Sequence, residues 1–132
     1  MPLSKTRTAT KRLAAIDIGT NSFHLIVAEV DPRTGRFRIL DREKEIVRLG
    51  SGSTDMKYLS DAAMNRGVQT LTRFRRIAQS RDAPIRAIAT SAVREAVNQD
   101  AFLRRVRSET GIKVEIASGT EEARLIHLGV LQ

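Results

Sequence analysis

Three short clusters in this chain hold residues whose types and spacing could do chemistry. The first is Asp17-Ile18-Gly19-Thr20-Asn21-Ser22, joining two apolar, β-branched runs, Leu13 to Ile18 and Phe23 to Val30, through a very short loop. Backbone N–H groups, hydroxyls and one carboxylate can converge there on a single point. Amides and hydroxyls suit the oxygens of a phosphate, and the acid suits its cation or a cation-bound water. An ordinary hairpin turn would also use Gly and Asn, although an acid closing a buried strand is less common in such a turn. The second cluster, Thr90-Ser91-Ala92-Val93-Arg94, sets two hydroxyls at a strand tip and an arginine one turn into the next helix. A guanidinium there can grip phosphate in a planar fork; an N-capped helix with a surface arginine is the competing reading.

The third cluster is Ser118-Gly119-Thr120-Glu121-Glu122-Ala123-Arg124. Ser118 and Glu121 match the S-x-x-E capping box, which gives Glu121 a sufficient structural task. Glu122 falls outside that box. A carboxylate in the first turn of a helix after a strand end can act as general base toward water, or can simply complement the helix dipole.

The elements that must position these clusters follow from periodicity. Leu13 to Ile18 is almost wholly apolar, as a buried central strand requires. Phe23 to Val30 is a second strand, closed by the turn Asp31-Pro32-Arg33-Thr34-Gly35. Phe37 to Val47 alternates in part, through Phe37, Ile39 and Ile46, and is expected nearer an edge. Gly50-Ser51-Gly52-Ser53 reads as a loop. Ser60 offers an N-cap with Asp61 in the first turn, and Met64, Val68, Leu71, Ile77 and Ala78 recur at helical spacing to about Ser80. Ile85 to Ala89 is a fourth strand, followed by a short helix with Val93 and Val97. A helix from Gln99 to Thr110 turns Phe102, Leu103 and Val106 inward and ends at Gly111. Val114 to Ala117 is a fifth strand, and a last helix starting at Thr120 has Leu125, Ile126 and Leu128 apolar. The order β-β-β-α-β-α-α-β-α predicts an α/β domain, a mixed five-stranded sheet with helices on both faces.

Composition bounds the function classes. With 41% hydrophobic and 29% charged residues the 132-residue chain is globular and long enough for a core. It has no cysteine, which excludes disulfides, thiolate zinc sites and thiol nucleophiles and fits a reducing compartment. No apolar run approaches the roughly 20 residues of a membrane span, so the cytoplasm is the expected location. Half of the net charge of +8 lies in Met1 to Arg12, where Lys5, Arg7, Lys11 and Arg12 meet no acid and a disordered tail is expected. The rest gathers in Arg73, Arg75, Arg76, Arg81 and Arg86 and in Arg94, Arg104, Arg105 and Arg107. A basic surface favours polyanions, but only 4% of residues are aromatic, so a base-stacking nucleic-acid platform is disfavoured.

Taken together, Asp17 to Leu25, Thr90 to Ala96 and Ser118 to Leu125 resemble, in order and spacing from Leu13 onward, the exopolyphosphatase/guanosine pentaphosphatase (Ppx/GppA) family. That resemblance implies the actin-like, sugar-kinase and Hsp70 ATPase-domain superfamily, with two ribonuclease-H-like lobes around a cleft; residues 13–132 would be the first lobe. It further implies that Gly19, Thr20, Asn21 and Ser22 form a phosphate-binding loop, Arg94 holds a phosphate, Glu122 activates the attacking water and Asp17 lies near Mg²⁺ or another divalent cation. The reaction implied is release of orthophosphate from polyphosphate or from the 5′ end of guanosine pentaphosphate. The family's second phosphate loop and second lobe would lie beyond Gln132, and an apolar face at Leu128, Val130 and Leu131 would favour docking of that lobe or a homodimer. A binding or sensor lobe without turnover is the alternative.

Overall fold

The computed structural model describes residues 10–50 and 57–118. Strands β1 (Lys11–Ile18), β2 (Ser22–Val30) and β3 (Phe37–Ile46) form an antiparallel meander, followed by helix α1 (Asp61–Ser80), strand β4 (Ile85–Ala89), the single turn α2 (Ser91–Arg94), helix α3 (Gln99–Thr110) and strand β5 (Val114–Ile116). The sheet order is β3-β2-β1-β4-β5, with β1 parallel to β4 and β4 parallel to β5. The expected mixed five-stranded sheet is therefore present. Its central strand, β1, is paired along both edges.

Alternation along the strands sorts the sheet into two faces. Ala14, Ile16 and Ile18 of β1 and Phe23, Leu25 and Val27 of β2 are buried on one face. Gly67 of α1 lies so close that a Cβ there would sit 3.3 Å from the ring of Phe102 and 3.4 Å from that of Phe23. Both long helices, α1 and α3, thus pack on this one face. The helix expected from Thr120, whose position decides whether the other face is also covered, lies outside the described residues, as do the capping-box partner Glu121 and the apolar Leu125, Ile126 and Leu128.

The helix boundaries have the expected causes. Ser60 caps α1 through its hydroxyl, which accepts a bond from the Ala63 amide at 3.1 Å. Gly111 ends α3 in the left-handed region at φ 76°, its amide donating to the Arg107 carbonyl, a conformation that only glycine adopts freely.

Three expectations need correction. Lys11 and Arg12, assigned to a tail, belong to β1, where Arg12 pairs with Glu29 and donates to the Arg81 carbonyl. The third strand ends at Ile46, and its large apolar residues Phe37 and Ile46 are 66% and 59% exposed. The side of β3 turned toward α1 holds Asp41, Glu43 and Glu45, bound by Arg81 and Arg73. Finally, the short helix stops at Arg94, so Val97 lies beyond it and is 77% exposed. Much of the arginine excess is likewise neutralised: Arg86 meets Glu115 and Arg105 meets Glu109.

The core reading has a direct test. Phe102→Ala should lower unfolding free energy by about 3–5 kcal/mol, because the ring is fully buried and the cavity cannot collapse against two helices and a sheet. Phe37→Ala should change it by no more than about 0.5 kcal/mol. Equal effects in denaturant titrations would show that the faces of the sheet are assigned wrongly.

Candidate active site

The parallel strands β1, β4 and β5 end side by side, and the first two clusters, with Ser118 at the start of the third, sit just beyond those ends, the usual location for ligands in such sheets. Gly19 turns the chain immediately after β1. Its amide donates to the Ser22 carbonyl at 3.1 Å. A Cβ at Gly19 would stand only 2.8 Å from that same carbonyl oxygen, so the loop closes only around a residue without a side chain.

The carbonyls of the loop face the segment that follows β3. Leu49 donates its amide to the Thr20 carbonyl, and Val47 and Arg48 both donate to the Asn21 carbonyl, each at 2.9 Å. In a trans peptide the N–H points opposite to the C=O, and none of the described peptides is cis. Holding these two carbonyls therefore turns the Asn21 and Ser22 N–H groups away from the Val47–Leu49 segment.

The first two clusters touch. Thr20 Oγ1 and Ser91 Oγ lie 3.1 Å apart, a hydrogen bond between residues 71 apart in sequence. Thr90 is buried and serves the framework: its amide donates to the Ile18 carbonyl at 3.1 Å, and its hydroxyl makes no cap bond to α2. Arg94 is half-buried, and its Nη1 donates to the Ala117 carbonyl at 2.9 Å, one residue before Ser118. This arginine is not a solvated surface residue; one arm ties the second cluster to the start of the third. Glu122 itself lies outside the described residues.

Asp17 occupies the last outward position of β1, opposite His24. Its Oδ1 is buried and accepts no hydrogen bond among the described residues, while the residue as a whole is engaged elsewhere. Burial, and then the charge of Lys44, hold the His24 imidazole below its ordinary pKa. Among the described residues no three His, Asp or Glu side chains gather as a metal cage. The donor set nonetheless fits a hard cation, which takes oxygen ligands and can rely on one carboxylate plus water and phosphate oxygens.

Two residues around the site escaped sequence reasoning. Gln99 donates through Nε2 to the Val93 and Arg94 carbonyls, closing the end of α2. Arg66 of α1 holds the carbonyls of Val47 and Arg48. No local pattern marks either residue: Gln99 acts on carbonyls five and six residues back, and Arg66 on carbonyls 18 and 19 residues away.

A profile of the Ppx/GppA phosphatase family matches residues 7–132. The chain belongs to that family. It is 36% identical to an exopolyphosphatase from Cytophaga hutchinsonii, with a TM-score of 0.85, covering 91% of this chain and 38% of that one. It is 30% identical to the Aquifex aeolicus Ppx/GppA family member, with a TM-score of 0.83, covering 92% and 39% respectively. The chain therefore spans under two fifths of either relative. The mixed sheet is that of the ribonuclease-H-like lobes in the actin-like ATPase superfamily. Among the described residues of this Ppx/GppA chain, no helix is long and apolar enough to cross a membrane.

Gly19→Ala should destabilise the domain by about 1–3 kcal/mol, because the added carbon must displace backbone rather than a mobile side chain. A neutral effect in thermal or chemical unfolding would mean that the turn has room the geometry does not show.

Proposed function

We propose that this chain is the first lobe of a phosphoanhydride hydrolase that removes orthophosphate from the end of inorganic polyphosphate or from the 5′ end of guanosine pentaphosphate. The observation that supports this most is the Thr20–Ser91 contact, which gathers two hydroxyl-bearing loops at the ends of parallel strands. A half-buried junction of that kind has hydroxyls, outward-turned amides and a carboxylate available to one polyanion. Ordinary turns have no need of it.

Phosphoryl transfer asks for placement and charge neutralisation more than covalent chemistry. In this reading the Asn21 and Ser22 amides and the Thr20 hydroxyl bind phosphate oxygens. Arg94 directs its second guanidinium nitrogen at a phosphate while the first stays on Ala117. Asp17 holds a divalent cation, Mg²⁺ by the chemistry of the donors, which when bound neutralises phosphoryl oxygen charge. Glu122 takes the proton of the attacking water. The opposite wall of the cleft would come from a second lobe, in keeping with the share of the relatives that this chain spans.

Glu122→Gln in the two-lobed enzyme should reduce orthophosphate release from polyphosphate by roughly 10²–10⁴-fold with substrate affinity little changed, since the amide keeps the shape but accepts no proton. A larger loss from Glu121→Gln would reverse the assignment of the two neighbours. Arg94→Ala should weaken polyphosphate affinity and flatten its dependence on salt by about one phosphate contact. Identical salt slopes for the two proteins would leave Arg94 a purely structural link to β5.

A further inference from the structure

Arg66 is the sixth residue of α1, and it reaches across to the segment after β3. Its Nε donates to the Val47 carbonyl at 2.8 Å and its Nη2 to the Arg48 carbonyl at 3.0 Å. One planar guanidinium so binds two consecutive carbonyls as a fork, a geometry that a lysine ammonium does not reproduce. The same two residues use their amides in the other direction, both donating to the Asn21 carbonyl, while Leu49 donates to that of Thr20.

Arg48 also has a positive φ of 53°. A non-glycine residue stays in that region only where its surroundings hold it. A left-handed residue of this kind is a device for turning successive N–H groups into one concavity, and here the concavity receives the Asn21 carbonyl. The chain of bonds is then continuous: guanidinium to the Val47 and Arg48 carbonyls, their amides to Asn21, and the Asn21 peptide to the N–H of Ser22.

We infer that Arg66 is the positioning residue of the Gly19–Ser22 loop: it fixes, through the Val47–Leu49 segment, the direction in which the Asn21 and Ser22 amides present themselves to a phosphate. This rests on the reading of that loop as an anion site. Arg66 works through the backbone, so its charge is secondary and its forked shape is what matters. A cation serving only to attract polyanions would be replaceable by lysine and would need no paired carbonyls.

The test compares the native chain with Arg66→Ala and Arg66→Lys by amide NMR, with hydrogen exchange and a titration with tripolyphosphate at several salt concentrations. In the native chain the Asn21 and Ser22 amide resonances should shift with tripolyphosphate. In Arg66→Ala, exchange protection of the Val47, Arg48 and Leu49 amides should fall about tenfold or more, and tripolyphosphate affinity should fall about tenfold, with the salt slope unchanged. Arg66→Lys should not restore the affinity; it keeps the charge and the stem, so it decides the matter if the alanine variant does not fold. Native-like affinity in Arg66→Lys would overturn the inference in favour of charge alone. Native-like protection and titration in both variants would overturn it while leaving the phosphate-loop reading intact. No shift at Asn21 or Ser22 in the native chain would overturn that reading and the inference together.

Discussion

The bond from the Gly19 amide to the Ser22 carbonyl is the constraint on which the site depends. It reverses the chain within four residues of Ile18, so β2 begins beside the strand end instead of after an excursion. Asp17 is thereby kept on the sheet, two residues from the loop, and Thr20 is brought to within 3.1 Å of Ser91. The Ile18 carbonyl, left at the tip of β1, receives the Thr90 amide and so aligns the end of β4 with the same turn. Without the close approach at Gly19 these groups would be spread along a longer connection. Each would then have to be ordered separately, at the entropic cost of about 1–2 kcal/mol per fixed residue.

Local signals were read from the sequence where one residue had one dominant physical role. The hydroxyl of Ser60 at a helix start and the left-handed Gly111 at a helix end both act where expected, and the apolar spacing of Met64, Val68 and Leu71 marks a buried face. The junction of the first two clusters was legible as two separate loops with related chemistry, though not as a contact. What resisted reading depends on partners distant in sequence. Partial alternation in β3, through Phe37, Ile39 and Ile46, marked a strand near an edge and left open which side faces the helices. The face toward α1 is formed by acids, because Arg73 and Arg81 stand opposite them. A one-dimensional pattern does not contain that pairing. Arg66 carries no distinguishing local pattern, and Val47 reads only as the end of a strand; both gain meaning from backbone groups that every residue possesses. Lys11 and Arg12 were misplaced for a similar reason: charge density argued for a tail, while their backbone bonds to β2 prevailed.

The acidic side of β3 has one more consequence. The outer strand is joined to α1 by guanidinium–carboxylate pairs whose side chains remain substantially accessible: Arg73 spans Glu43 and Glu45 at 3.0 and 2.8 Å, and Arg81 meets Asp41 at 2.6 Å. Pairs of this kind contribute little individually, about 0–1 kcal/mol, and are screened by electrolyte, whereas the apolar contacts under β1 and β2 are not. Cohesion across the sheet is therefore uneven, with a margin that concentrated salt loosens and a centre that it leaves intact. The Val47–Leu49 segment continues directly from that margin, but Val47 and Leu49 are buried in the core, so fraying of the outer strand meets an apolar anchor before it reaches the Thr20 and Asn21 carbonyls. Under the proposed phosphate reading, ionic strength acts on this site by competing for the polyanion, while the apolar anchor at Val47 and Leu49 keeps the loop's shape.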